Sequence, residues 1–314
     1  MGDLGLDNNR WLIPRLDYLP DVNPWDMFNR ERLRVFGEIV DNYFVPQCNF
    51  LSYEDTEQDL DYFVQKYPFL LDGQGSLPQL HRKVYELQSN GVSTLTIFDI
   101  CIEFDCLDKL GQQFLENPPP HLELGLKITN SAEYNLIQQA VTRNHLPQVL
   151  NFLNSLIPLK EPEGEEYLKH PTLWLELLGS SSMYRPNAVI LAAEKGSLNH
   201  LTETIKYLST IDENRTLNLF ENEFQLGMGE SNFLHHLLKG KQLHSSLIEM
   251  IQQVYSSSTY RLKSLLNQKD FYGNIPTHAI LGPYRDFIIP LIDFAYTEDN
   301  EGLKLLLEKF GISN

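Results

Sequence analysis

Few side chains in this 314-residue sequence have both the type and the spacing to do chemistry. The sharpest enzymatic combination is Cys48 with His81. Cys48 follows Pro46-Gln47, and His81 and several aspartates lie in the same half of the chain. A catalytic thiolate needs a neighbouring histidine and favours a helix amino terminus. The pair therefore defines one alternative, an N-terminal thiol-dependent enzyme. The plainer reading of Cys48 is a packed thiol, because no hydrolase signature surrounds it.

Metal chemistry finds less footing. Cys101 and Cys106 are five positions apart with no second cysteine pair, so a structural zinc site is not expected. His235, His236 and His244 are the only local histidine cluster. Adjacent residues on a helix point about 100° apart, so His235 and His236 cannot readily share one ion. The acidic run from Glu54 to Asp61 lacks EF-hand spacing and its central glycine, and reads as a solvated helix face. Glu161, Glu163, Glu165 and Glu166 flank Pro162 and Gly164 as an exposed acidic loop. There is no phosphate-binding glycine loop, nucleophile elbow or zinc-protease motif. No cofactor, metal or catalytic residue is expected from these patterns.

Charge narrows the partners. Lys and Arg number 25 against 42 Asp and Glu, a net charge of −17. Such a surface repels nucleic-acid phosphates and anionic lipid headgroups, and matches a basic patch on a protein. Hydrophobic residues make up 42% of the chain, enough for a sizeable core. No apolar run approaches the ~18 residues needed to span a bilayer, and no membrane insertion is expected. The N-terminal residues read as neither a signal peptide nor a myristoylation site. Three cysteines without framework spacing suit a reducing, cytoplasmic setting.

The elements that would position these groups read as helices. Pro118-Pro119-Pro120 cannot continue a helix and divides the chain into a helical N-terminal domain, 1–117, and a second region, 121–314. In the first, a helix starts at Pro24 and carries Phe28, Leu33, Phe36, Ile39 and Phe44. Further helices are predicted over residues 53–71, over 76–89 ending at Asn90-Gly91, and as one long helix from Thr94 to Leu115.

In the second region a pattern recurs. Residues 267–279 place Asp270 and Gly273 in a turn, Pro276 at a helix start and His278 two residues later. Asn135 to Leu153 has Ala140 at a small inner position and Asn144 at a turn position that tolerates the left-handed conformation. Ala188-Val189-Ile190-Leu191-Ala192-Ala193-Glu194-Lys195-Gly196-Ser197-Leu198 repeats that design with a glycine turn, and Gly229 to Leu238 contains Leu234-His235. Together these resemble ankyrin repeats, whose consensus runs Asp-x-x-Gly-x-Thr-Pro-Leu-His-x-Ala. The resemblance spans about residues 131–311.

It implies an all-α chain, in which the helical N-terminal domain is followed by a degenerate ankyrin-repeat solenoid of about four repeats. Asn144 and Gly196 are 52 positions apart against a family period of ~33, so an insertion is placed at 154–185, with a helix over Pro171 to Leu178. The signature residues His235 and His278 would brace turns through backbone hydrogen bonds. Leu305 to Gly311 would close an outer helix. The implied function is binding of a protein partner through turn residues Tyr184, Arg185, Phe271 and Tyr272. Degenerate repeats of this style resemble those of secreted effectors of intracellular bacteria, which would place the protein in host cytosol. A ubiquitin-ligase adaptor is a further alternative.

Overall fold

The computed structural model describes residues 51–52, 64–65, 67–72, 76–89, 94–117, 126–127, 134–157, 170–181, 186–221, 231–270 and 272–312. Helices make up nearly all the regular structure among the described residues. The exception is a two-residue antiparallel pair, β1 (Leu51–Ser52) with β2 (Thr94–Leu95). The expected helix starting at Pro24 lies outside the described residues. Two compact units are present: residues 1–140 with 147–158, and residues 141–146 with 159–314.

The first unit contains α1 (Leu77–Ser89), α2 (Ile97–Glu103) and α3 (Leu107–Glu116). Where one helix from Thr94 to Leu115 was expected, the chain makes two. Thr96 starts α2 through a capping box, its side chain accepting from the Asp99 N–H while Asp99 accepts from the Thr96 N–H at 2.7 Å. Asp105 takes φ 52°, and the Cys106 N–H bonds back to the Cys101 carbonyl at 3.0 Å, closing the helix end. Hydrophobic periodicity runs straight through this corner, which hides it in the sequence. Phe98, Phe114 and Phe152 form a triangle of tilted and edge-on rings with centroids 6.1–6.5 Å apart. Phe152 belongs to α5 (Leu146–Leu156), which follows α4 (Leu136–Thr142).

The second unit is a stack. After α6 (His170–Gly179) come α7 (Ala188–Lys195), α8 (Thr202–Ile211) and α9 (Glu213–Glu221). The order then recurs as α10 (Phe233–Gly240), α11 (Ser245–Val254) and α12 (Thr259–Asn267). It recurs again as a 3-10 helix, Pro276–Leu281, with α13 (Arg285–Ala295) and α14 (Asn300–Lys309). First elements pack on first elements, α7 on α10 and α10 on the 3-10 helix; second elements pack likewise, α8 on α11 and α11 on α13. Each round therefore contains three helices rather than a hairpin.

The third helix of each round explains the stretched period, 45 positions from Asn187 to Asn232. The extra helix expected at Pro171 to Leu178 is present as α6; its counterparts α9 and α12 are additional. The segment Leu305 to Gly311, expected as an outer helix, lies mostly in α14, the third helix of its round, and α13 fills the second position.

Local chemistry fixes this order. Asn187 and Asn232 cap α7 and α10, each side chain accepting from the N–H three residues on. Nine positions after each cap the chain turns left-handed, at Gly196 (φ 75°) and Lys241 (φ 61°); Asn144 (φ 61°) stands nine after Asn135 in the same way. Residues Ala188 to Ala193 of α7 are all buried. Gly240 lies so close to α7 that an added Cβ would sit 2.1 Å from the Ala193 carbonyl oxygen. The spine beneath includes Phe220 edge-on to Phe233, centroids 4.6 Å apart. No helix among the described residues is long and apolar enough to cross a membrane.

Candidate protein-binding surface

The best-formed candidate surface lies in the second unit, at the turn that follows α12. Asp270 organises it. Its carboxylate accepts from the N–H groups of Tyr272 (2.9 Å) and Asn274 (2.7 Å) and from the Asn274 side-chain amide (3.0 Å). The backbone closes with Asp270 N–H to Asn274 O at 2.8 Å and Gly273 N–H to Asp270 O at 2.9 Å. Gly273 has φ 79°, a conformation that costs glycine little. Burial raises the Asp270 carboxyl, but the bonds from Asn274, the nearby His235 and the Tyr272 N–H outweigh it and hold its pKa below the usual value. A turn so braced holds Tyr272 at its apex, 78% exposed.

His235 ties this turn to the stack. Its Nδ1 accepts from the Asn232 N–H at 3.2 Å, completing the α10 capping box, and its Nε2 donates to the Asn274 carbonyl at 3.1 Å. One imidazole thus serves a helix start and a loop 39 positions away. Burial lowers its pKa, against the opposing effects of the Asn274 bond and Asp270. His278, expected to brace a turn in the same way, is exposed instead, its ring edge-on to Phe310 at 5.7 Å. The round that contains it begins as a 3-10 helix with Ile275 where the others have asparagine, so no capping box forms there.

Beside the turn lies a cleft of about 460 Å³ lined by Phe220, Glu221, Asn232, Tyr260, Arg261 and Gln268, among others. Phe220 is buried, whereas Tyr260 is 71% exposed. Gln268 connects the two features: it accepts from the Asn232 amide at 3.0 Å and directly precedes the segment that forms the turn. Arg261 pairs with Glu221, joining α12 to α9. Behind them the Tyr255 hydroxyl is buried beside Glu221; burial first, then that carboxylate, raise its pKa.

Of the partner-binding residues read from sequence, Tyr272 is exposed on the Asp270–Asn274 turn, while Tyr184, Arg185 and Phe271 lie outside the described residues. Cys48 does as well, and His81 is half-buried on α1. Tyr260, Arg261 and the bridging role of Asn232 were not read from sequence. The only available signal was the i, i+4, i+8 stripe of Tyr260, Ser264 and Gln268, in a segment not recognised as a separate helix. Among the described residues, no three His, Cys, Asp or Glu side chains are placed to hold a metal ion. Comparison of the chain with known protein families, with curated proteins and with solved structures returns no match.

Proposed function

We propose that the second unit is a protein-recognition scaffold, an ankyrin-like stack enlarged by a third helix per round. It engages a partner through the Asp270–Asn274 turn and the adjoining cleft. The observation that carries this reading is Tyr272, held 78% exposed on a turn fixed at both Asp270 and His235. An exposed aromatic on a rigid support contributes contact area at small entropic cost, and aromatic and arginine side chains dominate interface energetics. Tyr260 and Arg261 at the cleft extend the same chemistry. The net charge of −17 favours a partner presenting a basic surface. Action on a host protein, as in a secreted bacterial effector, rests on the sequence resemblance alone.

Photocrosslinking tests the surface. A photoreactive phenylalanine analogue replaces Tyr272, and a control protein carries it in place of Lys304 on α14. The expected result is a discrete crosslinked protein from position 272 only, competed by unmodified protein. Equal products from both positions, or none, would remove this surface from consideration.

A further inference from the structure

The cleft beside the turn has a regular edge. Tyr260, Ser264 and Gln268 all line it, four positions apart along one face of α12 and at the residue that ends it. Four positions on an α-helix advance about 6 Å, so the three side chains form a ladder of even pitch. Each carries a hydrogen-bond donor that the fold leaves unused. The Tyr260 and Ser264 hydroxyls make no hydrogen bond among the described residues, and both residues are exposed. Gln268 is oriented by the Asn232 amide, which donates to its oxygen at 3.0 Å and leaves its own amide hydrogens unbonded. The end of α9 contributes Phe220 and Glu221, and the ion pair of Glu221 with Arg261 holds α9 and α12 together there. Phe220 and Leu265, both buried, supply the apolar part of the lining.

We propose that this cleft holds an extended peptide segment of the protein partner, whose main-chain carbonyls accept from Tyr260, Ser264 and Gln268; the inference rests on the reading of the second unit as a recognition scaffold. In an extended chain, carbonyls on one side recur every two residues, at roughly 6.6 Å. That repeat is close to the pitch of the ladder, so three alternate carbonyls of a five-residue stretch meet the three donors in turn. Their number and type suit a row of acceptors, since the Gln268 amide can only donate and the two hydroxyls can do so. The central residue of the stretch faces Phe220 and Leu265, which favours an apolar side chain there. A small ligand is mostly enclosed by its pocket. Here Tyr260 stands 71% exposed at the edge, which leaves the cleft open for a chain to run through.

The test pans a phage library of random twelve-residue peptides against the full chain, and measures the affinity of each selected peptide by fluorescence anisotropy. Tyr260→Phe with Ser264→Ala removes two donors that make no bond in the fold, so circular dichroism should not change. The double variant should weaken binding about tenfold, the scale of two lost hydrogen bonds. Replacing the matching peptide linkages by esters, whose carbonyls accept more weakly, should weaken binding to the native protein and have less effect on the double variant. Selected peptides that bind native protein and double variant equally, or a library that yields none weakened by the double variant, overturn the proposal. Self-association of the chain that the double variant abolishes overturns it too, by assigning the cleft to a second copy. The crosslink from position 272 is read separately. A discrete crosslink there without a cleft peptide removes this inference alone, and a cleft peptide without that crosslink removes the turn and retains the cleft.

Discussion

Asn187 and Asn232, 45 positions apart, make the same two bonds. Each side-chain oxygen caps its own helix, α7 or α10, and each side-chain amide donates to a carbonyl of the third helix of the same round. Asn187 reaches Leu219 O at 2.8 Å, and Asn232 reaches Leu265 O at 2.7 Å. One residue type therefore starts the first helix and ties the third helix to it.

Removing either asparagine costs both functions. Asn187→Ala or Asn232→Ala should destabilise the protein by about 2–4 kcal/mol, from a lost cap and an unpaired buried carbonyl. Asn232→Asp keeps the cap but not the donor and should cost less than alanine. Urea unfolding followed by circular dichroism measures each value. Equal losses for Asp and Ala would mean that the amide bond to Leu265 carries the whole effect.

Gly240 and Gly273 separate contact from conformation. Gly240→Ala places a methyl against the Ala193 carbonyl, where something must shift, and a loss of at least about 2–3 kcal/mol is expected. Gly273→Ala has open space around it and φ 79°, so only backbone strain of about 1 kcal/mol applies. The same unfolding measurement should rank Gly240→Ala as clearly the worse of the two.

Stability should fall in two steps on acidification. Burial holds His235 and His236 below the ordinary histidine value of 6.5. The unfolded chain therefore binds these protons first, and stability present above pH 6.5 is lost as pH drops through the lower folded values. For Glu194, burial raises the carboxyl, but the Lys239 bond at 2.5 Å and the charges of Lys239 and His236 outweigh it, so its pKa lies below 4.5. Its contribution is present above pH 4.5 and is lost further into acid. The double variant His235→Gln with His236→Gln should flatten the upper step and only shrink the lower one, because Lys239 still holds Glu194 down after the help from His236 is lost. Melting temperatures measured between pH 8 and pH 3 would expose an unchanged upper step.

For the proposed recognition surface, replacing Phe271 and Tyr272 together by alanine should weaken partner capture at least about tenfold, the scale of one aromatic hot spot. Helical circular dichroism should not change, because Tyr272 is exposed. Undiminished capture would move the contact elsewhere.

Much of the second unit's local structure is legible in the sequence. The run Ala188 to Leu198 announces a helix, a left-handed glycine and a second helix through residue types that act over a few positions. Asn144 and Gly196 were read as turn residues, and both adopt positive φ. Lys241 does too, against its side-chain preference, because the round around it demands the reversal that Gly196 makes at the same place. The break at Asp105 was missed, since the apolar stripe of α2 continues in α3 without a change of period.

The third helices α9 and α12 were missed for a related reason. No separate element was expected over Glu213–Glu221 or Thr259–Asn267, yet each folds as a helix of its own. Their identity as separate elements rests on contacts with other rounds, such as α9 with α6 and α12 with α13. No window of neighbouring residues encodes those contacts.

The sequence by itself determined the helical character of the chain, its acidity, and where individual helices begin and turn, because capping, propensity and charge depend on residues only a few positions apart. Tertiary structure alone decided that each round holds three helices, that His235 reaches Asn274, that Phe220 and Tyr260 share a cleft, and that the chain reverses at Asp105. These depend on how packed surfaces bring distant segments together, or on a single backbone reversal that periodicity does not register.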